Sequence, residues 1–189
     1  NANHLAEYYQ SNLKLLTEFD FRYDWVSTTL NGLESAFLRI QEEVDTNPWF
    51  DGLSQLEYSE TVFGIAFVLA QTYITGTVTD INELREHRGE KPIDKIICYS
   101  SSLWYLSNEI SPILLINSIA NYFKHYDEWD IWPANLTVKT LHRVGIGEDT
   151  EFPCYVAATK LWNENEIENL HNLLTIISEW RKHVLLKYK

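Results

Sequence analysis

Apolar side chains recur every three or four residues along almost the whole chain, which is the spacing of one face of an α-helix. Residues 22–44 show this pattern with Trp25, Val26, Leu30, Leu33, Phe37, Leu38 and Ile40. The spacing predicts helices over residues 3–19, 22–44, 54–88, 93–109, 112–129, 135–144 and 164–187. Residues 154–162 fit either a strand or a helix. The sequence therefore predicts an all-α fold, a single domain over residues 1–189 built as a multi-helix bundle of about 6–8 helices.

Capping residues and glycines predict where several of these helices begin and end. Ser111 followed by Pro112 is typical of a helix start, because the serine oxygen can accept a first-turn N–H and proline has none to leave unpaired. Asn163, with a glutamate three residues later, is a similar start. The segment TVFGIAFVLAQTYI, within residues 54–88, is apolar nearly all round and predicts a central buried helix. A break in that helix near Gly76 is compatible with the pattern.

The stretch NSIANYFKHYDEWDIW, residues 117–132, combines polar and charged side chains with aromatic ones. At about 100° per residue, one stripe of this helix carries polar groups: Asn117, Ser118, Asn121, Lys124, His125 and Glu128. The opposite face carries apolar groups: Leu115, Ile116, Ile119, Tyr122, Phe123 and Tyr126. Three interpretations of the polar stripe remain open: a solvated helix face, a functional cleft, or a buried polar network that fixes helix packing.

The residue types in the stripe are the reason to consider the second interpretation, a functional cleft. Asn117 and Asn121 each lower helix stability by about 0.5 kcal/mol relative to alanine. A purely solvated face could carry other polar residues that destabilise the helix less. His125 titrates near neutral pH, follows Lys124 and lies within predicted reach of Asn121, so it has the chemistry of a general acid or base. Lys124 and Glu128 form an i, i+4 pair of opposite charge, which also suits an ordinary surface helix.

The segment ANYFKHYDEW resembles an N-x-x-K-H-x-x-E-W motif of helical bacterial proteins and is more distantly similar to the HEPN group. HEPN proteins are small, dimeric and all-helical, and many are ribonuclease toxins or defence effectors. Their signature is an arginine, usually followed by a polar residue, with a histidine a few residues later. Asn121 matches the polar residue and His125 matches the histidine, whereas Ala120 stands at the position of the arginine. In that family the arginine helps to hold the scissile phosphate and the histidine acts in acid–base chemistry.

The resemblance implies two alternative functions. The first is a non-catalytic interaction module in a defence or toxin–antitoxin setting, with a protein partner and a homodimeric state. The second is a metal-independent ribonuclease that binds RNA, with His125 as acid or base, Lys124 neutralising phosphate and Asn121 orienting His125 or the ribose hydroxyl. Glu128 completes the set of candidate catalytic residues. The missing arginine favours the first alternative.

Charge narrows the classes of partner. The chain has 15 lysines and arginines against 27 aspartates and glutamates, a net charge of −12. Non-specific DNA binding requires a basic face, so we expect no DNA partner. An acidic surface suits a basic protein partner. The six histidines show no zinc-ligand spacing and no phosphate-loop or dinucleotide motif occurs, so we expect no metal and no cofactor.

Cysteine content and hydropathy suggest a compartment. Cys98 and Cys154 are too few for a disulfide framework, and both are expected to be buried small apolar residues. No uninterrupted apolar run reaches about 18 residues, so we expect no membrane span. Residues 1–10 lack the basic region and apolar core of a signal peptide. We therefore expect a cytoplasmic protein.

Overall fold

The computed structural model describes Glu7, Ser11 and residues 18–162 and 164–188. In this part of the chain seven α-helices occur and no strand. They are α1 (Phe21–Thr46), α2 (Gly52–His87), α3 (Lys95–Ser100), α4 (Pro112–His125), α5 (Leu136–Arg143), α6 (Pro153–Leu161) and α7 (His171–Tyr188). The prediction of an all-α bundle is confirmed. The predicted helix over residues 3–19 lies largely outside the described residues, and so does the predicted cap at Asn163.

Helix α2 is the centre of the fold, as its apolar composition predicts. It packs against α1, α4, α6 and α7, and it fully buries Phe63, Phe67, Tyr73 and Ile74. By length and composition α2 could also cross a membrane, but 56% of its most apolar window is buried within the fold. Packing against four other helices therefore accounts for the apolar character of α2.

The break near Gly76 that the sequence pattern allows does not occur, because α2 is continuous from Gly52 to His87. Gly76 instead provides a passage across the helix for the side chain of Arg22 on α1, and a Cβ at this position would overlap the guanidinium. The guanidinium reaches Asp80 with two hydrogen bonds, Nη1 to Oδ2 at 2.6 Å and Nη2 to Oδ1 at 3.1 Å. The hydrogen bonding to Asp80 raises the pKa of Arg22. The absence of a side chain at Gly76 thus serves an ion pair between α1 and α2.

Helix α3 is much shorter than the predicted 93–109, and it ends at Ser100. The reason lies in a distant residue, Trp180 on α7. Its indole N–H donates to the backbone carbonyls of Cys98, at 3.2 Å, and Ser101, at 3.0 Å. The hydroxyl of Ser111 donates to the carbonyl of Tyr99. These side chains occupy carbonyls that a longer helix would need for its own hydrogen bonds.

The remaining helix ends combine confirmed and wrong predictions. The start of α4 is confirmed, since Oγ of Ser111 accepts a hydrogen bond from the N–H of Leu114 at 3.0 Å. The ambiguous residues 154–162 form the helix α6 and its C-cap. Helix α7 begins at His171, later than the predicted 164. The N–H of His171 donates both to Oε1 of Glu34 on α1 and to Oδ1 of Asn169, each at 3.2 Å.

Candidate functional site

The four predicted site residues lie at the C-terminal end of α4 and just beyond it. Asn121 is partly buried, whereas Lys124 and His125 are exposed on the last turn. Helix α4 ends at His125, and not at the predicted residue 129, because the backbone there tightens into a 3-10 turn over Tyr126–Glu128. Glu128 belongs to this turn, so it does not continue the helical stripe. Ser118, which the helical angle places on the stripe, is fully buried in the core.

The polar stripe of α4 faces Gln71 on α2. The side-chain amide of Gln71 donates to Oδ1 of Asn117 and to Oδ1 of Asn121, each at 2.9 Å. Its Oε1 accepts a hydrogen bond from Nζ of Lys124 at 2.8 Å. Asn121 also donates to Oγ1 of Thr137 on α5 at 3.4 Å. A partly buried polar network thus joins Asn117, Asn121 and Lys124 of α4 to α2, whereas His125 and Glu128 lie outside it at the surface.

Gln71 is a residue that the sequence prediction missed. The signal was present, since Gln71 is a polar residue inside the otherwise apolar segment FGIAFVLAQTYI. A polar side chain on the inner face of a central helix requires a hydrogen-bonding partner, and the asparagines of α4 are suitable ones. The pairing could not be assigned from sequence because 50 residues separate Gln71 from Asn121.

His125 has a different partner from the one predicted. Its Nδ1 lies 3.3 Å from Oε2 of Glu128, and 47% of its side chain is exposed. Among the described residues Asn121 bonds Gln71 and Thr137, so the predicted contact between Asn121 and His125 is not formed. The predicted pairing of Lys124 with Glu128 is also replaced, because the turn after α4 directs Glu128 toward His125. The four candidates are therefore divided between two separate arrangements.

Aromatic rings cover the end of α4 on its other side. Tyr122 stacks on Tyr126 with centroids 5.4 Å apart, and it contacts the ring of Trp132 at the same centroid distance. Trp129 packs against Trp132 at 6.1 Å, and the ring of His142 on α5 stacks on Trp132 at 5.6 Å. These contacts explain why the chain leaves the helical path after His125, because the turn carries Trp129 and Trp132 back onto Tyr122.

A cleft of about 220 Å³ opens beside this cluster, between α2, the end of α4 and the start of α6. Its walls are formed by Glu57, Glu60, Thr61, Tyr122, Phe123, Tyr126, Glu151, Phe152 and Pro153. The ring of Phe123 lies directly on Gly64 of α2, where a Cβ would overlap it. The cleft thus combines three carboxylates with four aromatic rings. The cleft is not evident from the sequence, because its walls come from three separate segments.

Glu60 forms the inner part of this cleft and holds the start of α6. Its Oε1 accepts the backbone N–H of Cys154 at 2.8 Å, and its Oε2 accepts that of Tyr155 at 2.9 Å. Helix α6 has no capping side chain at its own N-cap residue, Phe152, so a glutamate of α2 serves instead. Burial raises the pKa of Glu60, and the two backbone hydrogen bonds together with one from the Cys154 thiol oppose that shift.

The two cysteines are free and buried, as expected from the sequence. Burial raises the pKa of the Cys98 thiol to about 11 and that of the Cys154 thiol well above its ordinary value. Neither thiol is therefore activated as a nucleophile. In the part of the chain that the structure describes, no three histidine, cysteine, aspartate or glutamate side chains come together as a metal-binding group.

The chain matches no protein-family model, no curated protein and no solved structure. The contacts of its own side chains are therefore the basis for a functional proposal. Two features qualify: the hydrogen-bonded stripe of α4 with the adjacent His125, and the acidic, aromatic cleft beside it.

Proposed function

We propose that this chain is a non-catalytic, HEPN-like interaction module that acts in the cytoplasm in a defence or toxin–antitoxin setting. The observation that supports this proposal most strongly is the hydrogen bonding of Gln71 to Asn121 and Lys124. A ribonuclease would use Asn121 for orientation and Lys124 for phosphate. Both side chains are instead engaged in holding α4 against α2.

The position of the family's arginine supports the same proposal. Ala120 occupies that position and is fully buried in the core. A side chain at residue 120 therefore points into the bundle, where it has no access to a phosphate in solution. The charge around His125 is also unfavourable for RNA, since Asp127, Glu128 and Asp130 are exposed nearby on a chain of net charge −12. Acidic groups repel the phosphate backbone.

An acidic surface with accessible aromatic rings instead suits a basic protein partner. Tyr126 is 43% exposed at the end of α4, beside the carboxylates of Glu57 and Glu151. Aromatic residues are enriched in protein interfaces, and charge complementarity steers the encounter with a partner of opposite charge. Neither DNA nor a membrane surface is part of this proposal.

The alternative function, a metal-independent ribonuclease, has one observation in its favour. His125 is half exposed, and its Nδ1 faces a carboxylate oxygen of Glu128 at 3.3 Å. A carboxylate that orients an imidazole is a recurring feature of acid–base sites. Lys124, the cation next to His125 in the sequence, is bonded to Gln71 and does not join this pair. We therefore propose the interaction module in preference to the enzyme.

A ribonuclease assay separates the two functions. Purified protein is incubated with a mixed RNA substrate in EDTA, beside the variants His125→Ala and His87→Ala, the second being a change of the same type at the end of α2. We expect no cleavage by any of the three proteins. EDTA-resistant cleavage that His87→Ala retains and His125→Ala loses would contradict the proposal. General acid–base catalysis is typically worth roughly 10²–10⁴-fold, so such a loss would be unmistakable.

The homodimer implied by the HEPN-like resemblance is also part of the proposal. Closed two-fold pairs are the commonest oligomers of soluble proteins. Exposed aromatic rings on the first turns of α1 support an interface there, with Phe21 66% exposed and Trp25 44% exposed. Light scattering should give twice the chain mass of 22.2 kDa. A mass of one chain across the micromolar range would exclude the dimer at those concentrations.

A further inference from the structure

The cleft between α2, α4 and α6 has the charge of a cation-binding site. Glu57 and Glu151 are exposed at its edge, and Glu60 lies further inside. Among the residues that the structure describes, nine line the cleft, and none of them is a lysine, arginine or histidine. Lys124, the next residue after the wall residue Phe123, is directed to Gln71. The carboxylates of the cleft are thus left for a cation from outside.

The other walls are aromatic. Tyr122 and Tyr126 stack at an angle of 23°, and the rings of Phe123 and Phe152 complete the lining. Aromatic faces attract cations through the ring quadrupole, whereas they offer no ligand to a hard metal ion. A nucleic acid is disfavoured because the three carboxylates repel phosphate. The combination of rings and carboxylates therefore selects an organic cation.

The size and shape of the cleft favour a planar cation on a flexible side chain. A volume of about 220 Å³ is far more than a single water requires, which is about 15 Å³ on the same measure. A guanidinium is flat, is weakly hydrated, stacks on aromatic rings and pairs with carboxylates, whereas an ammonium is compact and strongly hydrated. The carboxylate of Glu60 accepts two backbone N–H groups and the thiol of Cys154, and a carboxylate has about four acceptor sites, so it retains capacity for a further donor.

We propose that this cleft binds the guanidinium of an arginine side chain presented by the protein partner. The inference rests on the proposed interaction function, and it names the chemistry that the partner must present. Tyr122 and Tyr126 provide the stacking surface, and Glu57, Glu60 and Glu151 provide the negative charge. The cleft is then the anchor point of the interface, where a single buried arginine dominates the contact.

A pair of peptides tests the inference on the full chain. Both are short and capped, and both have only uncharged residues around the central position. The central residue is arginine in one peptide and citrulline in the other. Citrulline has the shape of arginine without its charge. Binding is followed by ¹⁵N NMR, with the amides of Cys154 and Tyr155 as reporters because both donate to Glu60. We expect saturable shifts for the arginine peptide, with a dissociation constant of about 1 mM, and none for citrulline.

Variants locate the binding. The double variant Glu57→Gln and Glu151→Gln should weaken the arginine peptide about tenfold, since it removes two charges at the rim. Tyr126→Leu should weaken it about fivefold through loss of a ring face. Glu42→Gln, an equivalent change at an exposed position of α1, should leave the affinity unchanged. A lysine peptide should bind several-fold more weakly than the arginine peptide.

Four results would overturn the inference: no binding of the arginine peptide, equal binding of the citrulline peptide, equal binding of the lysine peptide, or an affinity that the double variant does not change. None of these bears on the absence of ribonuclease activity, which tests the proposed function independently. A protein that cleaves no RNA and binds no arginine peptide would therefore lose this site while remaining a non-catalytic module.

Discussion

Gln71 on α2 donates its side-chain amide to Oδ1 of Asn121 on α4 across 2.9 Å. Asn121 is one of the candidate catalytic residues of the sequence motif, and Gln71 lies in the apolar segment of the central helix. A polar group on the inner face of such a helix is costly unless it is hydrogen-bonded. Asn117, Asn121 and Lys124 of α4 are thus explained by the helix that they face.

A first prediction concerns the passage of Arg22 over Gly76. Alanine at an interior helix position is normally more stabilising than glycine by about 1 kcal/mol. Here a Cβ would displace the guanidinium that is bound to Asp80. We expect Gly76→Ala to destabilise the natural chain but to stabilise the double variant Arg22→Ala and Asp80→Ala. Urea unfolding measures both. The same sign of change in the two backgrounds would contradict the proposed role of Gly76.

A second prediction concerns Glu60 and pH. Glu60→Gln replaces two accepting oxygens with one, so α6 loses one capping hydrogen bond and the protein should lose about 1 kcal/mol of stability. Burial raises the folded-state pKa of Glu60 above its usual 4.5. The stabilisation that protonated Glu60 contributes to the folded state is therefore fully present below its unfolded-state pKa. It is lost as pH rises through its folded-state pKa.

The comparison of unfolding free energies at several pH values tests this. The unfolding free energy of the natural chain should exceed that of Glu60→Gln by the largest amount at low pH. The difference between the two proteins should narrow as pH rises. Other carboxylates cancel in the difference, since both proteins carry them. A difference that widens with rising pH would mean that the folded-state pKa of Glu60 is lowered.

A third prediction concerns the thiols. Cys98 and Cys154 are both fully buried, and burial raises the pKa of each. A thiol-specific reagent at neutral pH should label neither residue in the native protein and both in denaturant, because the thiolate is the reactive form. Rapid labelling of either cysteine under native conditions would show that its surroundings open to solvent.

The sequence predicts those parts of the fold that depend on neighbouring residues. Ser111 and Pro112 mark the start of α4 because a cap involves only the first turn. The end of α3 could not be predicted, because it depends on Trp180, which bonds carbonyls 79 and 82 residues earlier in the chain. The end of α4 similarly depends on the packing of the rings of Trp129 and Trp132 against Tyr122.

The candidate site shows the same limit. The helical angle placed Asn121, Lys124 and His125 on one stripe, and the composition of the stripe could not distinguish a catalytic cleft from a packing network. The position of Gln71, which gives Asn121 and Lys124 a hydrogen-bonding partner, follows from the tertiary packing of α2 on α4. The acidic, aromatic cleft could not be predicted from the sequence for the same reason, since Glu60 and Tyr122 come from distant segments.

The central claim is that the polar stripe of α4 holds the helix against α2. A double-mutant cycle on Gln71→Ala and Asn121→Ala, followed by urea unfolding, tests it most directly. Gln71→Ala should cost about 1–3 kcal/mol, since it leaves several partly buried groups unpaired. The two changes should show a coupling of about 0.5 kcal/mol or more. Thr72→Ala and His125→Ala, both at exposed positions, should remain within about 0.5 kcal/mol of the natural chain. Additive effects at Gln71 and Asn121, with a larger loss from His125→Ala, would contradict the claim.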